Sequence, residues 1–183
     1  MRPGRYASPM RRPDPSEHAP YFSRYIDLVP ETDIVAALEK QGDETQQLLA
    51  SLGEQQAAYR YGPDKWSIKG VLGHVADGER IFAYRLLAIA RGEKSPLPGF
   101  DENEYAATAH FDDWSLRDLA ESLAVARRGT VLVLRNLADS DLDRRGVAND
   151  NETSALAIAF TMLGHERHHL RVLRERYLPN LSM

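Results

Sequence analysis

Apolar residues recur at three- and four-residue steps through four separate stretches of the chain, and this spacing predicts four amphipathic helices. The first follows Pro30, with Thr32 as a plausible N-cap, and runs to about Leu52. Ile34, Leu38, Thr45, Leu48, Leu49 and Leu52 share one face of it. The second follows Ser67, a good capping residue, and carries Ile68, Leu72, Val75, Phe82, Leu86 and Ile89 up to about Arg91. Gly92 then supplies a stop signal. The third, capped by Ser115, presents Leu116, Leu119, Leu123, Ala126, Thr130, Leu134 and Leu137. The last spans about Thr153 to Leu178 and ends before Pro179.

The intervening segments read as connections. Residues 92 to 114 contain Pro96, Pro98 and Gly99, and this stretch is long enough to span a helix, so the second and third helices need not be antiparallel neighbours. The polar residues between 139 and 151 read as loop. No alternating strand pattern exceeds a few residues. Residues 1–24, with Pro3, Pro9, Pro13, Pro15 and Pro20, read as an irregular arm. Tyr21, Phe22, Tyr25 and Ile26 would let that arm drape over the domain or over a partner. Residues 25–183 then form a single all-α domain, a four-helix bundle.

Composition narrows the chemistry. The formal net charge of -4 argues against nonspecific nucleic-acid binding. There is no cysteine, so disulfides, thiolate metal sites and cysteine nucleophiles are excluded, and any metal site must use nitrogen and oxygen ligands. No apolar run reaches the roughly 18 to 20 residues of a membrane span. Arg2, Arg5, Arg11 and Arg12 are not followed by the apolar stretch of a secretory signal, so a cytoplasmic location is expected.

Three histidines interrupt apolar stripes. In the last helix, Ile158, Met162, His165, His169 and Val172 are separated by four, three, four and three residues, the inward stripe of a bundle helix. Residues four apart lie about 5 to 6 Å from each other, so two imidazoles so placed can converge on one ion. In the second helix, His74 occupies a similar stripe with Val71, Gly78 and Ile81, and Gly73 and Gly78 leave room for a neighbouring helix or a ligand. A lone core histidine is usually an ordinary hydrogen-bonded residue. Three of them on two core stripes are better explained by a shared divalent transition metal, because burying unpartnered imidazoles would cost several kcal/mol.

The run His165-Glu166-Arg167-His168-His169 also matches the HExxH pattern, in which Glu166 would be a general base. Position 175, where a metzincin carries its third histidine, is Glu175, and only fourteen residues follow His169. The match therefore reads as a by-product of the helical histidine pair. Other supporting roles are open. Asp77 could accept the second ring N–H of His74, as a carboxylate partner of a metal ligand commonly does. Glu166 could be a base or a partner of the ligands, or a surface residue, given its 100° offset from His165. His168 flanks the site, and Trp66 reads as packing at the start of the second helix. Arg127 and Arg128 and the basic run Arg171, Arg174 and Arg176 could meet an anionic substrate, although the run, near a helix C-terminus, is better explained by the helix dipole. His18 and His110 receive no role.

Together, Lys65-Trp66-Ser67-Ile68, then Gly73-His74 with Asp77 and Glu79, and finally Gly164-His165-Glu166-Arg167-His168-His169 resemble the DinB-like (DinB/YfiT) metalloenzymes. Tyr25-Ile26-Asp27-Leu28-Val29-Pro30 resembles the entry to the first helix in one branch of that family. The likeness covers roughly residues 25 to 178. It implies a bundle of up-down-down-up order, a tri-histidine nickel or zinc site at His74, His165 and His169, and frequent homodimers. It further implies thiol-dependent S-transferase or isomerase chemistry with low-molecular-weight thiols.

Three neutral histidines would leave an ion with open positions, the layout of a catalytic centre. The expectation is a metal-dependent enzyme acting on a small molecule through a thiol cosubstrate or by hydrolysis, with nickel or zinc and, less expectedly, iron or manganese. The competing expectation is a non-enzymatic metal-binding or dimeric interaction bundle. Val131-Leu132-Val133-Leu134 places apolar residues on more than one face of the third helix, which suggests a homodimer contact.

Overall fold

The computed structural model describes residues 9–181, so the first eight residues of the expected arm lie outside the described residues. Four long helices dominate: α1 (Ile34–Ala50), α2 (Ile68–Ala90), α3 (Leu116–Leu134) and α4 (Ala155–Val172). Each starts at a polar side chain that accepts a backbone N–H left free by the first turn. Ser67 accepts from Gly70, Ser115 from Asp118 and Ser154 from Ala157. At α1 the cap is Asp33, whose carboxylate accepts from Ala36, rather than Thr32. The Thr32 carbonyl instead accepts the N–H of Met10 and ties the N-terminal segment to the bundle.

Helix directions follow from which residues meet. Glu39 pairs with Arg135 and Gln46 with Ala120, so α1 and α3 run antiparallel. Lys69 bonds the Trp114 carbonyl and Glu79 meets Arg127, so α2 and α3 run parallel. Gln41 reaches Leu163 and Thr45 reaches Glu166, so α1 and α4 run parallel. His74 faces His169 while Phe82 faces His165, so α2 and α4 run antiparallel. The order is up-down-down-up, with α1 and α2 each packed between α3 and α4. Residues 91–115 make the long crossover that two successive parallel helices require.

The core is divided. One apolar block contains Leu38, Phe82, Leu86, Leu134 and Phe160, and a second contains Leu49, Leu72, Leu116, Leu170 and Tyr177. Between them every helix contributes polar residues: Gln41 and Thr45 from α1, His74 and Glu79 from α2, Arg127 from α3, and His165 and Glu166 from α4. All of these are buried. Each bundle helix is thus interrupted at the same level along the bundle.

The connections hold more structure than the sequence reading assigns them. The crossover contains a helix, Glu102–Ala109, whose first turn is capped by Asp101. The polar stretch before α4 ends in a hairpin of β1 (Arg145–Ala148) and β2 (Asn151–Ser154). Its two-residue turn has φ of 52° at Asn149 and 59° at Asp150, the left-handed pair that a type I′ hairpin turn demands and that Asn and Asp tolerate best. Before α1, Pro15–Glu17 and Pro20–Phe22 form single 3₁₀ turns and Ser23–Ile26 one α turn. No helix among the described residues is long and apolar enough to cross a membrane.

Candidate metal centre

The three histidines come together. One ring nitrogen of each lies within 4.8 Å of the other two, and the Nε2 atoms of His74 and His165 are 3.0 Å apart. Ring centroids are separated by 5.0 Å for His74 and His165, 4.7 Å for His74 and His169, and 4.6 Å for His165 and His169. His165 and His169 meet because they are one turn apart on α4. His74 reaches them because α2 runs antiparallel beside that helix.

Glycine makes this approach possible. A Cβ at Gly78 would stand 2.9 Å from Cε1 of His165, and a Cβ at Gly164 would stand 2.1 Å from the Tyr25 carbonyl oxygen. Gly78 therefore seats the His165 ring against α2, and Gly164 lets the N-terminal segment cross α4 and bring Tyr25 onto the site. Gly73, expected to admit a neighbour, admits the Phe111 ring.

Aromatic rings fix the imidazoles. Phe82 and Tyr25 each stand edge-on to His165 at 5.5 and 5.3 Å, and Trp66 lies 5.0 Å from His74. Desolvation lowers the pKa of His74 to about 4 and that of His169 to about 3, the neighbouring imidazoles adding to the effect at His169. Burial likewise pushes His165 well below the usual histidine range. All three are neutral at physiological pH, the form that ligates a metal.

The donor set suits a divalent transition ion. The rings have few protein partners: the contact between His74 and His165 can hold one proton between two nitrogens, and among the described residues no carboxylate joins the cluster. Three imidazole nitrogens converging from two helices are a donor set that a divalent transition metal can share.

The histidines form the wall of a cavity of about 720 Å³, within the size range of small-molecule sites. Trp66 and His168 also line it, together with Tyr25, Phe82, Arg85 and Phe100. Trp66 thus faces the cavity rather than serving only as packing. Arg85 and Phe100 carry no motif that marks them in the sequence, and Tyr25 is marked only as the start of the Tyr25–Pro30 run. Tyr25, Arg85 and Phe100 reach the site through the Ser23–Ile26 turn, the far end of α2 and the crossover.

The two expected acidic helpers lie elsewhere. Glu166 is neither on the surface nor in the cavity. Its carboxylate accepts from Gln41 (2.7 Å), Thr45 (2.7 Å) and Arg127 (2.7 Å). The 100° step from His165 turns it toward α1 and α3 instead of toward α2. Asp77 is half-buried, with desolvation raising its pKa, and makes no hydrogen bond to His74. Arg127 donates through Nε and Nη2 to Glu79, through Nη2 also to Glu166 and through Nη1 to the Leu38 carbonyl, so its donors are engaged within the protein and away from the histidine cavity. Arg171, Arg174 and Arg176 are exposed along the C-terminal end of the last helix.

No curated protein matches the chain. Among solved structures, it is similar to YfiT from Bacillus subtilis, described as a probable metal-dependent hydrolase with an unusual four-helix bundle topology. The TM-score is 0.71 at 17% identity, over 91% of each chain, a likeness of fold that agrees with the up-down-down-up order. A sequence model of the DinB superfamily matches residues 37–173, which include α2, α3, α4 and all three site histidines. The chain belongs to the DinB superfamily.

Proposed function

We propose that this protein is a metal-dependent enzyme acting on a small molecule, with His74, His165 and His169 as the metal ligands. One observation carries the reading: three neutral imidazoles converge on the wall of an open cavity with no fourth protein ligand among the described residues. Nickel or zinc suits the set best, and iron or manganese is compatible. A bound ion supplies Lewis acidity to a carbonyl, a thiol or a water.

The chain's own residues orient the reaction. Phe82, Tyr25 and Trp66 pack against the imidazole rings and hold their planes. His168 lines the same cavity, and desolvation, reinforced by the charge of Arg171, lowers its pKa. It is therefore neutral and able to take a proton from an entering thiol or water. Burial keeps the Tyr25 phenol protonated, so it can return one. These roles fit thiol-dependent S-transfer or isomerisation, and equally hydrolysis, the activity described as probable for YfiT. Neither Glu166 nor Asp77 has a place in this scheme.

A homodimer is part of the same proposal. Val125 and Leu132, one heptad apart on α3, are both more than half exposed, whereas Val131 and Leu134 are buried. A soluble, cytoplasmic setting completes it. Metal analysis of purified protein tests the core of the reading. About one equivalent per chain is expected, lost in His165→Ala, with turnover in a screen of small thiols against electrophilic acceptors and of hydrolysable esters and amides. Protein without stoichiometric metal, whose melting temperature responds to added zinc or nickel no differently from that of His165→Ala, would end it. Full metal loading with no turnover on any substrate class would favour a purely structural ion.

A further inference from the structure

Among the described residues, Arg85 is the one buried arginine or lysine of the cavity wall. It lies eleven residues after His74 on α2, which puts it on nearly the same helix face and about 16 Å farther along the axis. Gly78 and Phe82 occupy the face between them. Helical side chains lean toward the N-terminus, so the guanidinium tilts back toward the histidines.

Its environment is unusual for a buried cation. The residue is 5% exposed, yet no carboxylate lies within ion-pairing distance of it among the described residues, whereas buried Arg127 has two. A buried charge without a partner is costly and is rarely kept without a use. Desolvation draws the pKa of Arg85 down, which shows the same deficit. Of its five N–H donors, Nη2 is engaged by the Pro98 carbonyl at 2.7 Å. No buried side-chain nitrogen or oxygen among the described residues lacks a partner. The guanidinium nitrogens without a protein partner are therefore accessible, and Arg85 lines the histidine cavity as well as two smaller pockets beside it. Phe100 packs 5.9 Å from the guanidinium carbon and screens that side.

We propose that Arg85 is the anchor for a carboxylate on the substrate, so that the protein takes elongated monocarboxylic acids with the reacting group at the end away from the acid. A monoanion fits better than a phosphate dianion, because the other charged residues of the wall, Arg24 and Glu102, are exposed and opposite in sign. A single guanidinium then balances a single negative charge. The position of the reacting group rests on the metal-centre reading above; the carboxylate contact does not.

The test therefore has a metal-free arm and a metal-loaded arm. In metal-free protein, hexanoate and hexanol are titrated and followed by calorimetry and NMR. Hexanoate should bind about tenfold or more tightly than hexanol, in line with a charge-assisted hydrogen-bonded pair. Arg85→Gln should erase that preference and Arg85→Lys should retain part of it. In zinc-loaded protein, ω-mercaptohexanoate should exceed ω-mercaptohexanol by a similar factor, again only with Arg85 present. Equal binding of acid and alcohol by the wild type, tighter binding of inorganic phosphate than of hexanoate, or an undiminished preference in folded Arg85→Gln would overturn the proposal. If Arg85→Gln does not fold, the wild-type comparison and Arg85→Lys decide. Failure to load zinc would defeat the metal-centre reading while the hexanoate arm still decides this one.

Discussion

The Glu166 carboxylate lies 2.7 Å from the Arg127 guanidinium, on the side of α4 that faces α1 and α3, although its chain neighbour His165 points at α2. Two consecutive residues thereby serve two different centres at one level of the bundle. The imidazole belongs to the cavity. The carboxylate belongs to a buried ion network that also holds Glu79, Gln41 and Thr45.

That network makes the role of Glu166 measurable. Removing one member of a buried, fully hydrogen-bonded ion cluster leaves the rest uncompensated, which costs about 3 to 5 kcal/mol. Glu166→Ala should lower unfolding free energy by that order in urea titrations, and Arg127→Met should do so at least as strongly, because it strands two carboxylates. A Glu166→Ala protein of wild-type stability that lost only turnover would instead restore Glu166 as a base.

Gly78→Ala separates stability from metal binding. Alanine favours the helix by up to about 1 kcal/mol over glycine, but its Cβ would press on the His165 ring at 2.9 Å. We expect metal affinity to fall by about tenfold to a hundredfold, as for other changes that misorient a ligand. The metal-free melting temperature should fall little or not at all. Competition with a chromophoric chelator measures the first and thermal unfolding the second.

Gly164→Ala should act on the fold and the site together. The new methyl group would collide with backbone, at 2.1 Å from the Tyr25 carbonyl oxygen, and backbone cannot turn aside as a side chain can. A loss of about 3 kcal/mol is expected, toward the upper end for overpacking, with displacement of Tyr25. An increase in Tyr25 fluorescence quenching by acrylamide would report that displacement.

Acid should loosen the N-terminal segment. Arg11 donates to both oxygens of Glu17 at 2.6 and 2.9 Å, and this pairing brings the Glu17 pKa from 4.5 to about 2 against the opposing effect of desolvation. A carboxyl depressed in the folded state contributes its full stability above the unfolded pKa near 4.5 and loses it as pH falls toward 2. The stability gap between wild type and Glu17→Gln should therefore be constant above about pH 5 and shrink below 4.5. A gap that widened on acidification would contradict the pairing.

Much of the architecture was legible because helices declare themselves locally. Ser67 and Ser115 cap the turns they precede, and the three- and four-residue steps of Leu72, Val75, Leu119 and Leu123 mark faces that must be buried. The histidine pair was legible for the same reason, since a four-residue spacing on an inward stripe fixes the neighbourhood of two side chains. The hairpin was not, because strands of four residues carry almost no periodicity. Only the Asn149-Asp150 turn betrayed it. Glu166 was misplaced because a single helix cannot say which of its polar faces meets another helix.

What the chain alone determines, then, is its set of helices, their apolar stripes and the fact that His74, His165 and His169 interrupt those stripes, all consequences of the helical period. Whether the interruptions coincide in space is a different matter. It depends on α2 and α4 running antiparallel at one particular axial offset, and on Gly78 permitting contact there. The same assembly turned Glu166 toward Arg127, brought Tyr25 from the Ser23–Ile26 turn and Phe100 from the crossover into the cavity wall, and left Arg85 without a carboxylate partner among the described residues. Those relations join residues tens of positions apart, and only packing among helices, with its requirement that buried charge be matched, could decide them.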